Sequence, residues 1–119
     1  MQGNHLFFPI TVPGTLTANV HAEFIAPFDL QLERVSANCD NTLTYILDVG
    51  TTSDTDAYLD SVTVTGVTAD STEYSRLDFV NDQYPHILAG TMVVTTITYN
   101  GGSGGDSANV TVLLTFSEG

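Results

Sequence analysis

The stretch ANVTVLLTF at residues 108–116 decides the fold, because its apolar and polar residues alternate with a period of two. One phase is apolar throughout and comprises Val110, Val112, Leu114 and Phe116. Thr111 and Thr115 belong to the other phase. Such alternation is typical of a β-strand that buries one face. The stretch therefore predicts a strand that lines a hydrophobic core.

The same alternation recurs along the chain, and no segment has convincing helical periodicity. Further alternating segments are 18–26, 42–49 and 92–99. We also expect strands at 6–12 and 61–68, whereas 72–80 fits either a strand or a short helical turn. In the stretch 28–37 the apolar phase shifts by one residue, which predicts a β-bulge near Glu33 and Arg34.

Turn-forming residues separate these segments. They include Pro13-Gly14, Asp40-Asn41 and the glycine-rich stretch 100–106. About eight short strands without a linker or repeat predict an all-β, single-domain antiparallel β-sandwich of the jelly-roll type. An immunoglobulin-type sandwich is the alternative, although the chain lacks the tryptophan and paired cysteines typical of that fold. We expect residues 1–13 to form an amino-terminal arm or edge strand and 14–119 to form the sandwich domain.

The charge balance excludes several classes of function. The formal net charge is -12, Arg34 and Arg76 are the two cationic residues, and there is no lysine. Such a chain repels nucleic-acid phosphates and anionic membranes, so neither is an expected partner. A lysine-dependent phosphate loop and Schiff-base chemistry are excluded. Cys39 is the single cysteine and is expected to be a small buried residue near a strand end.

Acidic residues cluster in one predicted loop, at Asp54, Asp56 and Asp60. Carboxylates in this arrangement could bind calcium through their oxygen atoms, although the spacing is not that of an EF-hand. The alternative is an acidic loop exposed to solvent. No nucleophile or histidine motif predicts catalysis, so we expect no enzymatic activity and no obligatory cofactor, with calcium as a possible ligand.

The amino-terminal segment carries candidate partner-binding residues, namely Leu6, Phe7, Phe8 and Ile10. In a strand Phe7 would point away from the face shared by the other three residues. Pro9 lacks a backbone N–H, which predicts an edge strand at most. An edge strand with apolar residues on both faces is a typical docking place for another chain. The alternative is that a loop of the same chain covers Phe7.

Three stretches resemble small head decoration, or cement, proteins of tailed bacteriophages with a jelly-roll fold. They are VHAEFIAPFDLQL at 20–32, GTTSDTDAYL at 50–59 and ILAGT at 87–91. The resemblance extends over roughly residues 20–119 as an order of features and contains no catalytic motif. It implies binding to the outside of the major capsid shell as dimers or trimers that clamp neighbouring subunits, and it implies no particular site residues.

These observations together predict a structural virion protein that binds the major capsid protein, stabilises the shell and forms a homo-oligomer. It would be made in the host cytoplasm and lie on the capsid exterior. The main alternative is a carbohydrate- or receptor-binding β-sandwich module of a phage tail or fibre, since five tyrosines could supply stacking surfaces. A head-fibre base or tail-tube accessory is a further alternative.

Overall fold

A computed structural model of the chain describes residues 5–40, 44–65, 72–99 and 107–119. These residues form nine β-strands and two short 3-10 turns, Arg76–Asp78 and Val80–Asp82. The strands are β1 His5–Thr15, β2 Val20–Ile25, β3 Leu30–Asn38, β4 Thr44–Thr51, β5 Leu59–Thr65, β6 Thr72–Tyr74, β7 His86–Ile87, β8 Met92–Tyr99 and β9 Ala108–Glu118. No helix among the described residues is long and apolar enough to cross a membrane.

The strands form two antiparallel sheets that pack face to face. The first sheet has the order β1-β9-β3-β6, with β7 also paired to β3, and the second has the order β2-β8-β4-β5. Strands from the two ends of the chain therefore pair with each other, β1 with β9 and β2 with β8, while β4 pairs with its neighbour β5. This nested order is that of a double-sheet jelly roll, which confirms the predicted fold class.

The core lies between the sheets and consists of the apolar phases of the strands. The four apolar residues of β9 that the alternation singled out are all fully buried. Tyr45, Leu47 and Val49 of β4 are also fully buried and face them from the other sheet, as their phase predicts. Leu43, predicted on that face, lies outside the described residues.

Three aromatic rings join the two sheets at the core. The rings of Phe8 and Phe24 have centroids 4.6 Å apart, and those of Phe24 and Phe116 are 5.4 Å apart. Phe24 belongs to the β2 sheet, whereas Phe8 and Phe116 belong to the β1 sheet. Aromatic pairs at such distances stabilise packing beyond the area that they bury. This cluster therefore helps to fix how the amino-terminal strand lies on the sandwich.

The predicted bulge in β3 is confirmed. Leu32 pairs with Phe116 of β9, whereas Arg34 pairs with Thr115, so the register shifts by one residue between Leu32 and Arg34. Both Leu32 and Val35 are buried although they are three positions apart, an odd spacing that would place them on opposite faces of a regular strand. The extra residue is thus needed to return Val35 to the core-facing side of the sheet.

The segments outside the main alternating strands follow the expectations from the sequence where the structure describes them. The ambiguous stretch 72–80 contains both predicted forms, because β6 is followed by a 3-10 turn. The strand expected at 61–68 is β5, which begins at Leu59, while residues 66–68 lie outside the described residues. The glycine-rich stretch 100–106 also lies outside them. Cys39 is buried immediately after β3, as expected.

The amino-terminal segment is an integral strand of the sandwich. β1 pairs with β9 along its length and has no partner on its other side among the described strands. It continues to Thr15, so the boundary expected after residue 13 lies within this edge strand.

Candidate functional site

The structure divides the four candidate partner-binding residues between two faces of β1. Ile10 is buried, and Leu6 and Phe8 are partly buried against the core. Phe7 points to the opposite face and is 57% exposed. Three of these side chains therefore stabilise the sandwich itself, and Phe7 is the one of the four that is exposed.

Phe7 begins a row of outward-facing side chains that crosses the β1 sheet. Its partner in β9 is Thr115, and the partner of Thr115 in β3 is Arg34. Thr115 lies between the buried residues Leu114 and Phe116, so its side chain faces away from the core. The bulge brings Arg34 into this row, since an unshifted register would place Glu33 opposite Thr115.

A groove of about 430 Å³ lies over this row. Its lining residues are His5, Phe7, Glu33, Arg34, Ser75, Tyr84 and Thr115. We call it the outer-face groove. Tyr84 comes from the connection that precedes β7 and is 40% exposed. The groove thus has aromatic side chains from two distant parts of the sequence and charged side chains from the bulge of β3.

The charged groups of the outer-face groove are held by neighbours in the same chain. Oε2 of Glu33 accepts hydrogen bonds from Nε2 of Gln31 at 2.6 Å and Oγ of Ser117 at 2.8 Å. Nη1 of Arg34 lies 3.7 Å from Oε1 of Glu73, and both side chains are more than half exposed. Such an exposed ion pair contributes little to stability. The Glu33 carboxylate is therefore the more firmly positioned charge.

Sequence reasoning identified Phe7 but not the rest of the groove. The phase change near Glu33 and Arg34 marked an irregular strand, and irregular strands often lie at binding surfaces. Tyr84 carried no local signal, because its position depends on the path of the connection between β6 and β7. The register of β1 on β9 and of β9 on β3 is likewise a property of the whole fold.

The candidate calcium residues only partly come together. Asp56 and Asp60 join Asp48 of β4, and one carboxylate oxygen from each lies within 4.8 Å of the others. Asp54 does not belong to this group among the described residues. Its backbone carbonyl instead accepts hydrogen bonds from the N–H groups of Thr51 at 2.8 Å and Ala57 at 3.1 Å. Asp48 was missed because it lies within strand β4 and not in the acidic loop that follows that strand.

Asp48 has a structural role in this cluster. Its Oδ1 accepts hydrogen bonds from the backbone N–H of Ser61 at 2.6 Å and from its hydroxyl at 2.9 Å. Ser61 has a φ of 49°, and the register between β4 and β5 shifts beside it. The carboxylate thus holds a residue in the left-handed region, which L residues rarely adopt. Oxygen ligands suit calcium, and calcium binding at this cluster stays a prediction.

A smaller cavity of about 230 Å³ also has Tyr84 in its lining, together with Tyr58 and residues of the connection before β7. The backbone N–H of Val80 donates to the carbonyl of Tyr58 at 3.0 Å, which ties this connection to the loop after β4. Burial raises the pKa of the Tyr58 hydroxyl.

Comparisons with known proteins give a similarity of fold. No protein-family model matches the sequence, and no curated protein matches it. A chain of the cyanophage Pam1 capsid asymmetric unit aligns with 99% of this chain and 87% of its own length, with a TM-score of 0.60 and 20% identity. A chain of the extra small virus particle of the giant freshwater prawn Macrobrachium rosenbergii aligns with 100% of this chain and 81% of its own, with a TM-score of 0.41 and 12% identity. The jelly roll is thus shared, over nearly its whole length, with a chain of a phage capsid asymmetric unit.

Proposed function

We propose that this chain is a head decoration protein, a structural virion component that binds the outer surface of the major capsid shell and stabilises it. The observation that carries the proposal is the full-length similarity of its jelly roll to a chain, only slightly longer, of the cyanophage Pam1 capsid asymmetric unit. No enzymatic activity belongs to this proposal. Its physical basis is a rigid sandwich with an exposed aromatic groove on one face.

The distribution of charge supports a place on the exterior of the shell. The net charge of -12 opposes contact with packaged nucleic acid. Both arginines interact within the chain, Arg34 with Glu73 and Arg76 with the backbone carbonyl of Asp82 at 3.1 Å. Little cationic surface is therefore left to neutralise phosphates. An acidic protein is repelled less on the side of the shell that faces solvent than on the side that faces packaged nucleic acid.

The test is binding to particles of the virus that carries this gene. Particles assembled without the chain are mixed with the purified protein, sedimented and analysed for bound protein. We expect stoichiometric binding and a higher temperature of genome release, measured with a nucleic-acid dye. Failure of the protein to sediment with the particles, together with its absence from particles made in its presence, would contradict the proposal.

Oligomeric state is the second part of the proposal, and light scattering on a sizing column measures it. We expect a dimer or trimer, either in solution or after binding, because a closed symmetric assembly suits a symmetric shell. A glycan array, with and without calcium, tests the alternative binding module. Specific glycan binding by a chain that does not bind particles would transfer the assignment to that alternative.

A further inference from the structure

We propose that the outer-face groove binds a basic segment of a partner protein, with an arginine or lysine side chain lying between Phe7 and Tyr84 and its charge at Glu33. This inference deepens the proposed function. The identification of the partner protein as part of the capsid shell rests on that proposed function. The binding chemistry itself follows from the lining of the groove.

The aromatic walls suit a long cationic side chain. Phe7 and Tyr84 are 57% and 40% exposed, and both line the same groove of about 430 Å³. The His5 ring stacks beside Phe7, with centroids 6.4 Å apart, and extends the aromatic surface. Aromatic faces attract cations, and the methylene stem of arginine or lysine packs well on them. A partner side chain would therefore bury this surface without leaving its own charge against an apolar wall.

Glu33 supplies a positioned negative charge at the same place. Both of its hydrogen bonds go to Oε2, and they orient the carboxylate before any partner arrives. The side chain is only partly exposed, so its field is less screened than that of a fully exposed group. A carboxylate already held in place loses less conformational entropy on binding, which favours affinity.

Charge complementarity selects a basic partner rather than a second copy of this chain. Glu33, Arg34 and the neighbouring Glu73 together carry one net negative charge, because Arg34 is paired with Glu73. A second copy also has a net charge of -12, has no lysine, and uses both arginines internally. Long-range attraction therefore favours a basic segment of a different protein.

The edge of β1 is a poorer docking place than its face. Pro9 and Pro13 both lie in this edge strand, and neither can donate a backbone hydrogen bond. Proline in an edge strand is a common protection against strand addition. A partner strand would lose bonds at these positions, whereas the side chains of the groove are accessible.

The experiment is a titration of the full-length, ¹⁵N-labelled protein followed by amide chemical shifts. The probes are the blocked peptide Ac-Leu-Arg-Leu-NH₂ and its citrulline counterpart, which has nearly the same shape without the charge. We expect the arginine peptide to shift amides at Phe7, Glu33, Tyr84 and Thr115. The citrulline peptide should bind about tenfold more weakly, which corresponds to ~1.4 kcal/mol.

Paired variants separate the groove from the general acidity of the chain. Glu33→Gln keeps an acceptor for Gln31 and Ser117 but removes the charge, and Glu23→Gln removes the same charge from an exposed position of β2. We expect Glu33→Gln to weaken binding of the arginine peptide about fivefold. Glu23→Gln should leave it unchanged.

A second pair tests the aromatic wall. Phe7→Ser removes a side chain that is 57% exposed, and Ile25→Ser removes one of β2 that is 58% exposed. Phe7→Ser should reduce affinity at least as much as Glu33→Gln, while Ile25→Ser should not. The amide spectra of all four variants show whether the fold is kept.

Three results would overturn the inference. The first is that the peptide-induced amide shifts concentrate at Asp48, Asp56 and Asp60. The second is that Glu33→Gln and Glu23→Gln weaken binding of the arginine peptide equally. The third is that the citrulline peptide binds as tightly as the arginine peptide. The proposed function is tested separately on particles. If the wild-type chain binds the arginine peptide but does not bind particles, only the proposed function is contradicted. If Phe7→Ser and Glu33→Gln leave particle binding unchanged, only the role of the groove is contradicted.

Discussion

At the scale of single residues, two buried hydroxyl groups stand out. Oγ1 of Thr95 and Oγ of Ser107 are buried and have no hydrogen-bond partner among the described residues. Thr95 is 1% exposed and lies in β8, opposite Ala22 of β2 and Val49 of β4. A buried hydroxyl without a partner costs about 1–3 kcal/mol, because its hydration is lost without replacement.

We expect Thr95→Val to stabilise the protein by about 1 kcal/mol, since a methyl group replaces the unpaired hydroxyl at the same volume. The free energy of unfolding is measured by urea denaturation, with comparison of midpoints at equal slope. Thr95→Ser is the control, because it keeps the hydroxyl and loses a methyl group, and it should be less stable than wild type. A loss of stability in Thr95→Val would show that the hydroxyl is hydrogen-bonded in solution.

Asp48 provides a second prediction at this scale. Asp48→Ala removes the acceptor of both Ser61 donors and should destabilise the protein by about 1–2 kcal/mol. Asp48→Asn keeps an acceptor oxygen and removes one of three neighbouring charges, so its stability should stay close to that of wild type. Urea denaturation without divalent cations measures both. Equal losses in the two variants would contradict the hydrogen-bonding role.

At the scale of elements, β4 and the loop after it depend on a glycine. Gly50 is buried, and a Cβ atom there would collide with the backbone of Asp54, Thr55 and Ala57. The loop folds back on the strand at this point, and the N–H of Tyr58 donates to the carbonyl of Val49 at 2.9 Å. The close approach is possible because glycine lacks a side chain.

Gly50→Ala should destabilise the protein by about 3 kcal/mol, because backbone rather than a flexible side chain would have to move. Gly14→Ala is the control: Gly14 has a φ of +78° and open space around its Cβ position. Its cost should be smaller, about 1 kcal/mol, and should come from backbone strain alone. Thermal unfolding followed by circular dichroism compares the two. An equal loss would refute the steric explanation.

Some features of the strands and loops follow from local alternation in the sequence, and others depend on the tertiary fold. The burial of β9 and the bulge of β3 were predictable, because side-chain direction alternates locally along a strand. The exposure of Phe7 followed from the same alternation. The position of Tyr84 did not, since it depends on a connection with two consecutive residues at positive φ, Asn81 and Asp82. Asp48 joined the acidic cluster through strand pairing, which no local pattern encodes.

At the scale of the whole molecule, buried tyrosines link stability to pH. Burial first, and then the nearby Cys39 and Tyr74, raise the pKa of the Tyr45 hydroxyl. This hydroxyl donates a hydrogen bond to the carbonyl oxygen of Asn38 at 3.2 Å. Burial also raises the pKa of Tyr58 and Tyr74. The folded state thus favours the protonated hydroxyl more than the unfolded state does.

The sign of the pH dependence follows from these raised pKa values. The stability that neutral tyrosines contribute is complete below the unfolded pKa of about 10 and is lost as the pH rises above it. We expect urea midpoints to be flat between about pH 8 and pH 9 and to fall above about pH 10. The urea midpoint of Tyr45→Phe should fall less steeply than that of wild type in that range. A fall as steep as that of wild type would exclude Tyr45 as a cause.

The sequence by itself determined the strand segments, their buried faces, the bulge of β3 and the acidic, lysine-free composition of the protein. These are local properties, since alternation and charge need no knowledge of distant residues. Only the tertiary structure decided that β1 pairs with β9 and β2 with β8, and therefore that Phe7, Arg34 and Tyr84 line one groove. Such pairings depend on closing long loops and packing one shared core, so their free energy belongs to the whole chain rather than to any segment.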